Sequence, residues 1–329
     1  MIQLLDEKLP PVTVFPVEDL HLEYTADKKE VYPGIGGRAY LHESMIYRQN
    51  PINVMDGYDS TVPRCHNHHS IFHLYKFEEM THFLDRFPIV RKRDWNEMST
   101  RFLLCRYVIC DIDDALQSRK PMELIAIRKN GDIWIGSNKT IGGRKWAGPE
   151  NSRAAYGGLN FAKQITKDSD VNFEKLHSVV KKLRLENRSL NTAMTLFISS
   201  VARAFDVYGQ VIEVKTASSN VAGKLQNLPA VKARNWWLRA SLSGAQRIVY
   251  GLRRNDVIHE VQEAKLEELT SGHFHFNSTH LFSFVFSLFK KINYVLDEDN
   301  SMCLIKMDGF DAMSITQTTS DSLKRSPIW

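Results

Sequence analysis

The period of apolar and polar positions changes several times along the chain. Short strand-like pieces, Val12 to Phe15 and His21 to Tyr24, precede a turn over Tyr32-Pro33-Gly34-Ile35-Gly36-Gly37. Phe72, Leu74, Tyr75, Phe77, Met80, Phe83 and Leu84 form a broad apolar stripe that predicts a helix over 70–87. A second helix is expected over 93–107. The period then shortens: 122–127 and 132–135 read as strands around Lys129-Asn130-Gly131, and Asn-Gly is a strong hairpin signal. Helices are expected over 154–165, 173–185 and 189–205, with a strand over 208–216 after them. Further on, the pattern predicts a helix over 231–243, a buried strand over 247–252 and a helix over 277–292, with Asn277 or Ser278 as N-cap. Strands at 293–296 and 302–306 finish the core. Strands and helices intermix without repeat or linker, so one α/β or α+β domain is expected. One domain of mixed β-sheets flanked by α-helices is expected over 1–315, with 316–329 as a flexible C-terminal tail.

Composition changes this picture little. The 329 residues are 43% hydrophobic and 10% aromatic, ordinary for a soluble domain with a sizeable core. A net charge of +5 permits a nucleic-acid partner without demanding one. The densest basic stretch, Lys181-Lys182-Leu183-Arg184 with Arg188, reads first as the solvated face of a helix. Four cysteines, Cys65, Cys105, Cys110 and Cys303, are too few for a disulfide scaffold. No secretory signal is visible, and the most apolar stretch, Leu281 to Leu288, is short and runs into Lys290 and Lys291. A soluble protein of a reducing compartment, cytoplasm or nucleus, is expected, with no membrane partner.

Chemistry concentrates in Gln210-Val211-Ile212-Glu213-Val214-Lys215-Thr216. Strand alternation puts Glu213 and Lys215 on one face and Ile212 and Val214 on the other. Many metal-dependent nucleases use such a pair, the carboxylate for a divalent cation and the lysine for a water or a phosphate oxygen. Alone, Glu-x-Lys is weak, because an ordinary ion pair along a strand gives the same pattern. Cys65-His66-Asn67-His68-His69 with His73 could suggest zinc, but no second Cys/His pair at a recognised spacing stands out, which favours a His-rich loop. Gly34 to Gly37 lacks the Gly-Lys-Ser/Thr of a phosphate loop, and no Gly-x-Ser-x-Gly supports a serine hydrolase. Trp236 and Trp237 could stack on bases, yet adjacent helical positions diverge by about 100°, so core filling is the plainer reading.

Together these residues resemble the DXO-type decapping exonuclease family. Glu213-Val-Lys215-Thr looks like its E-L-K-T strand. Trp236-Trp237-Leu-Arg-Ala-Ser through Arg247 and Gly251 resembles its K-W-W-x-Q-S-F block and the strand after it. Asp56-Gly57-Tyr58 is similar to its D-G-Y segment, and Glu123 to Ile135 to its strand pair. Gly158-Leu-Asn-Phe161-Ala162 is similar to its G-Y-K-F-E. Asn191-Thr192 through Phe197, Ser199 and Arg203 resembles an N-T-x-x-x-F-x-S helix, and Asn277-Ser278 opens the counterpart of its last long helix.

The resemblance implies an active site of several carboxylates around Mg²⁺ or Mn²⁺, and most of these are missing. Ala162 stands where one ligand is implied, and Arg239 replaces a helix glutamine. Ser137-Asn138-Lys139-Thr140 replaces an acidic stretch. A strand with an E-x-D pair is expected to be deleted before Glu213, where Asp206 is the sole acidic residue and Ala204 stands in a glutamate's place. Arg101 is aligned with a retained family arginine. The expectation is a pseudoenzyme without metal, cofactor or catalytic residues, whose vestigial site (Arg101, Ala162, Glu213, Lys215 and Arg239) has turned cationic. Arg101, Lys215 and Arg239 are the candidate RNA or phosphate contacts. By resemblance to degenerate members, RNA and nuclear proteins are expected partners, among them the chromodomain protein Rhino and its linker Deadlock in piRNA-cluster transcription. An active metal-dependent 5′-end nuclease using Glu213 and Asp206, and a protein scaffold without RNA, are the alternatives.

Overall fold

Alternating and fully apolar runs make sheet the main element of the computed structural model, which describes residue 9 and residues 11–27, 30–47, 50–58, 100–118, 121–137, 149–166, 175–218, 225–270, 278–307 and 313–319. In chain order the first strands are β1 (Thr13–Asp27), β2 (Glu30–Pro33), β3 (Ile52–Asn53), β4 (Thr100–Cys105), β5 (Met122–Lys129) and β6 (Asp132–Ser137). They continue with β7 (Lys175–Asn187), β8 (Thr192–Val201), β9 (Ala204–Phe205), β10 (Val211–Ser218), β11 (Arg247–Arg254), β12 (Val257–Lys265), β13 (Met302–Met307) and β14 (Met313–Thr318). The helices are α1 (Arg106–Ser118), α2 (Pro149–Ile165), α3 (Ala230–Ser243) and α4 (Ser278–Val295).

Two mixed sheets result, as the α/β expectation requires. One has the order β14-β13-β5-β6-β4-β8-β7-β1-β2, and the other β3-β12-β11-β10-β9. In the larger sheet β4 runs parallel to both β6 and β8, and in the smaller β10 runs parallel to β11. The main core packs α1 and α4 against the larger sheet. Leu281, Phe282, Phe284, Val285, Phe286, Leu288, Phe289 and Ile292 are all buried on α4, and Phe289 stacks on Phe102 of β4 at 4.9 Å. Burying each such side chain contributes about 1.5–3 kcal/mol before entropy is counted. No described helix is long and apolar enough to cross a membrane.

The smaller sheet has different company on its two faces. Ile248 and Tyr250 of β11 cluster with Trp236 and Ala240 of α3. Ile212 and Val214 of β10 cluster with Phe161, Ala162 and Ile165 of α2. Gly251 is required at its place in β11, since a Cβ there would lie 2.4 Å from Ile258 and 2.9 Å from the Phe161 ring. The face carrying Glu213 and Lys215 is therefore turned toward α3.

Several expected elements are corrected. The hairpin at Asn130-Gly131, α2, α3, β11 and α4 stand close to where the pattern placed them, with Asn130 and Gly131 both at positive φ. Residues 100–105 of the expected 93–107 helix are instead β4, and a helix begins only at Arg106. The expected helices over 173–185 and 189–205 are β7 and β8 where described, so Lys181, Lys182 and Arg184 lie on a strand. In β7, buried Leu183, Leu185 and Asn187 alternate with more exposed Lys182, Arg184 and Glu186, a period of two that the basic run disguises. In β8, Met194 to Val201 are all buried; a strand covered on both faces has no alternation to distinguish it from a helix. Asn293 and Val295 belong to the end of α4, and β12 was not foreseen. β14 carries Thr316 to Thr318 into the sheet, so the expected tail begins inside a strand. The expected 70–87 helix, the Cys65–His73 cluster and most of the Ser137–Thr140 segment lie outside the described residues.

Candidate functional site

Glu213 sits in the middle of the smaller sheet, 5% exposed, and both of its carboxylate oxygens are occupied. Arg106 Nη1 donates to Oε2 at 2.8 Å, and Lys215 Nζ donates to Oε1 at 2.5 Å. The lysine arrives by alternation along β10. The arginine arrives because β4 ends at Cys105 and Arg106 opens α1, so its side chain leaves the larger sheet and crosses to the smaller one. Arg106 Nη1 also donates to the Arg239 carbonyl at 3.3 Å, joining α1 to α3.

Two further contacts fix that helix pair. Arg234 Nε of α3 donates to Asp113 Oδ2 of α1 at 2.7 Å. The Arg239 guanidinium lies over the Tyr107 ring at 5.3 Å from its centroid, a cation–π arrangement. Trp236, one helical turn before Arg239, is 3% exposed and packs at 5.7 Å from Tyr250, so core filling holds for that tryptophan. Gly244, at φ 78°, ends α3 by turning the chain into the left-handed conformation.

The electrostatics follow from burial among like charges. Burial alone would raise the Glu213 carboxyl, yet Arg106 and Lys215 hold it down at about 2. Burial pushes the Lys215 ammonium down to about 7, with Glu213 opposing and Arg239 and Arg106 reinforcing the fall. Burial also works against the Arg106 charge, but Glu213 overrides it, so Arg106 is held above its ordinary value. Arg203, just before β9, is lowered by burial and feels both Arg106 and Arg239. Burial drives the Cys110 thiol up to about 11, leaving it protonated despite the nearby arginines.

Of the residues expected at this site, the structure assembles Glu213, Lys215 and Arg239. Arg101 belongs elsewhere: its Nε and Nη2 grip Asp132 Oδ1 and Oδ2 at 2.8 and 2.7 Å, within the larger sheet. Arg106 takes the place at Glu213 that was assigned to Arg101. Arg101 was placed by alignment with a family arginine; the run Phe102-Leu103-Leu104-Cys105 is a buried strand whose end delivers Arg106. Ala162 is 5% exposed and packs with the Ile212 and Val214 side of β10. The strand expected to be deleted survives as β9, which pairs with β10 through Ala204 and Phe205 and carries no carboxylate. Asp206 does not reach Glu213's partners; its Oδ1 accepts the Tyr208 and Gln210 amides and shapes the β9–β10 turn. Arg203 was quoted only as part of a motif, and its part in the cluster has no sequence signal beyond its place immediately before β9.

A divalent cation asks for several hard oxygen ligands. Among the described residues no group of three or more His, Cys, Asp or Glu is placed to share one. Glu213 is already bound to two cations, and the residues around it are arginines. The described residues at this site do not fit a divalent metal. They fit an anion.

Comparison with known proteins places this arrangement. A family model described as RAI1-like PD-(D/E)XK nuclease matches residues 18–327. The decapping nuclease dom-3 of Caenorhabditis elegans is 24% identical over 208 residues, 55% of this chain and 50% of that protein. The match thus spans about half the length of that relative. Among solved structures, Candida albicans Rai1 in complex with pU5-Mn²⁺ superposes with a TM-score of 0.70 at 14% identity, over 96% of this chain and 93% of that one. S. pombe Rai1 in complex with 3′-FADP gives 0.67 at 15% identity, over 94% and 95%. K. lactis Dxo1 with manganese gives 0.64 at 14%, over 97% and 95%. At such identities the likeness is one of fold.

Proposed function

Because this chain belongs to the RAI1-like PD-(D/E)XK nuclease family, we propose that it is a non-hydrolytic relative of the decapping nucleases, one that recognises RNA, including its 5′ end, without degrading it. The observation that carries this reading is the occupation of Glu213. Its oxygens accept from Arg106 and Lys215, with Arg239 alongside. A guanidinium about 4 Å from a divalent ion opposes it by on the order of 2–8 kcal/mol at effective dielectrics of about 80 to 20. The same cations favour a phosphate. RNA as the ligand class is supported by the relatives: one is a decapping nuclease, and one was solved with pU5-Mn²⁺.

In the cell, this reading gives the chain a nuclear place in a complex that protects or licenses transcripts. That is what the resemblance to the fly protein Cutoff implies, with piRNA-cluster transcription as the setting and Rhino and Deadlock as the first partners to test.

The test is a paired assay on purified protein with 5′-monophosphorylated and capped RNA, in excess Mg²⁺ or Mn²⁺. Complexes that leave the RNA intact are expected. Metal-dependent degradation abolished by Glu213→Ala would overturn the reading and restore an active nuclease. Neither binding nor cleavage would leave a protein scaffold.

A further inference from the structure

The outer strand of a sheet presents a row of unpaired backbone N–H and C=O groups, which proteins blunt with short strands, prolines, charges, bulges or covering chain. This protein uses all of these devices. At one end of the larger sheet β2 has four residues and finishes in Pro33. Beside it β1 carries Pro16, Glu18, Asp19 and Glu23, with a register shift between Val17 and Leu22. In the smaller sheet β3 and β9 have two residues each, and residues 39–41 cover β9. There Phe205 N–H donates to the Ala39 carbonyl and Leu41 N–H to the Phe205 carbonyl, both at 2.8 Å.

Among the described residues β14 lacks these devices. It ends the larger sheet and is paired with β13 on one side only. Its six residues, Met313-Ser314-Ile315-Thr316-Gln317-Thr318, include no proline and no charge, and they pair with β13 without a register shift. Thr316 and Gln317 are exposed. Met313 is 2% exposed and Ile315 packs against the main core, so one face of β14 carries the core up to the sheet's last strand.

The charge around this edge selects its occupant. From Asp297 to Thr319 the sequence has five acidic residues, Asp297, Glu298, Asp299, Asp308 and Asp311, against one lysine, in a protein of net charge +5. That lysine, Lys306, lies 3.3 Å from Glu123 of β5. Asp297, Glu298 and Asp299 are exposed and come just before Met302, which faces Thr318 at the end of β14. Tyr294, 85% exposed on the last turn of α4, stands at the same end and offers a ring to a cation. Acidic surroundings repel RNA. They also disfavour a second copy, because antiparallel pairing of two β14 strands sets the acidic end of one beside the start of the other, which Asp308 and Asp311 precede in sequence.

We propose that β14 is a docking edge for an extended basic segment of a partner protein, which adds to the nine-stranded sheet as a tenth strand. Apolar residues of that segment continue the Met313–Ile315 face, and its lysines and arginines meet Asp297, Glu298 and Tyr294. Main-chain hydrogen bonds give strand addition its affinity, and alternate side chains give it selectivity. The assignment is independent of the Glu213 site and of RNA.

The test is fluorescence anisotropy of the full chain, without RNA, using a labelled heptapeptide that alternates valine with lysine and arginine. Two N-methylated forms, with methyl groups on odd or on even residues, separate strand addition from plain attraction to an acidic surface. An added strand turns alternate N–H groups toward β14, so one form is expected to lose about tenfold or more in affinity and the other to keep it. Thr316→Lys, and Asp297→Lys together with Glu298→Lys, change exposed positions. Each is expected to weaken the peptide by about three- to tenfold with the thermal transition unchanged. Absence of peptide binding would overturn the docking edge, as would equal binding of the two methylated forms. A peptide with glutamate in place of lysine and arginine that binds as well as the basic one would overturn the charge assignment. A dimer in sedimentation velocity that Thr316→Lys dissolves would overturn the partner in favour of a second copy. Peptide binding that appears only after removal of residues 320–329 would overturn it in favour of the chain's own C-terminal residues.

Discussion

Arg101 and Arg106 lie five residues apart in the sequence, both buried, and their surroundings differ in the way that separates a structural ion pair from a site. Arg101 grips Asp132 with two hydrogen bonds, from Nε to Oδ1 and from Nη2 to Oδ2, across the larger sheet. Arg106 shares Glu213 with Lys215, lends a second bond to a backbone carbonyl, and keeps a buried Nε unsatisfied. The first arrangement ties β4 to β6 within the larger sheet. The second is open in charge and in donors, which is the condition for holding a ligand. Burial of an arginine is common to both; the carboxylate shared by two cations and the buried Nε without an acceptor mark Arg106.

The largest way to break this comparison is to remove one partner from each place. Arg101→Ala removes the two-pronged grip on Asp132 and should lower unfolding free energy by about 3–5 kcal/mol in chemical denaturation, whereas Arg106→Ala leaves Glu213 its bond from Lys215 and should cost less. Removing both partners separates the two cases. Arg101→Met with Asp132→Leu should be neutral or stabilising by about 1–4 kcal/mol and leave RNA affinity unchanged. Arg106→Met with Glu213→Leu should recover much of the stability and still weaken binding of 5′-phosphorylated RNA by about tenfold or more. Equal RNA affinity in the two double variants would dissolve the distinction.

How far the sequence revealed this contrast depends on the element. The Glu213–Lys215 strand, the Trp236 helix and the Asn130-Gly131 hairpin are local patterns with their own turn or period, and they were legible. β4 and β8 were not, because a strand covered on both faces reads as a plain apolar run. Arg101 was a candidate through its alignment with a family arginine, whereas the residue brought to Glu213 is Arg106, just past the end of β4. Arg203 joins the cluster through the fold of β9 against β10, a contact that no local pattern encodes. The family resemblance singled out Glu213 and Lys215; it did not reveal that Glu213 is bound by Arg106 as well as by Lys215.

The pH dependence sharpens the comparison with a smaller effect. Glu213 is held at about 2 when folded against 4.5 unfolded, so its contribution is complete above about 4.5 and is lost as pH falls through about 2. Glu213→Gln should remove that acid-side loss. Lys215 is lowered to about 7 from 10.5, so between these values the unfolded chain binds the extra proton and stability rises with pH. Lys215→Met should flatten the rise between about 7 and 10.5 in urea midpoints followed across pH. The smallest effect belongs to a solvent-facing pair of contacts. Arg247 bonds Glu43 and Glu263 at partly exposed positions, and Arg247→Ala should cost about 1 kcal/mol or less and leave RNA binding unchanged.

The most direct test of the central claim is the affinity of 5′-phosphorylated RNA for Glu213→Gln beside wild type, measured in EDTA with thermal melting as the control for folding. If Glu213 is a counter-charge inside an anion site, removing its charge should tighten binding by about tenfold, on the order of 1.4 kcal/mol. If Glu213 instead serves a bound metal, a folded Glu213→Gln protein would bind no better in EDTA, and the wild type would gain affinity or cleave RNA on addition of Mn²⁺. That result would contradict the account.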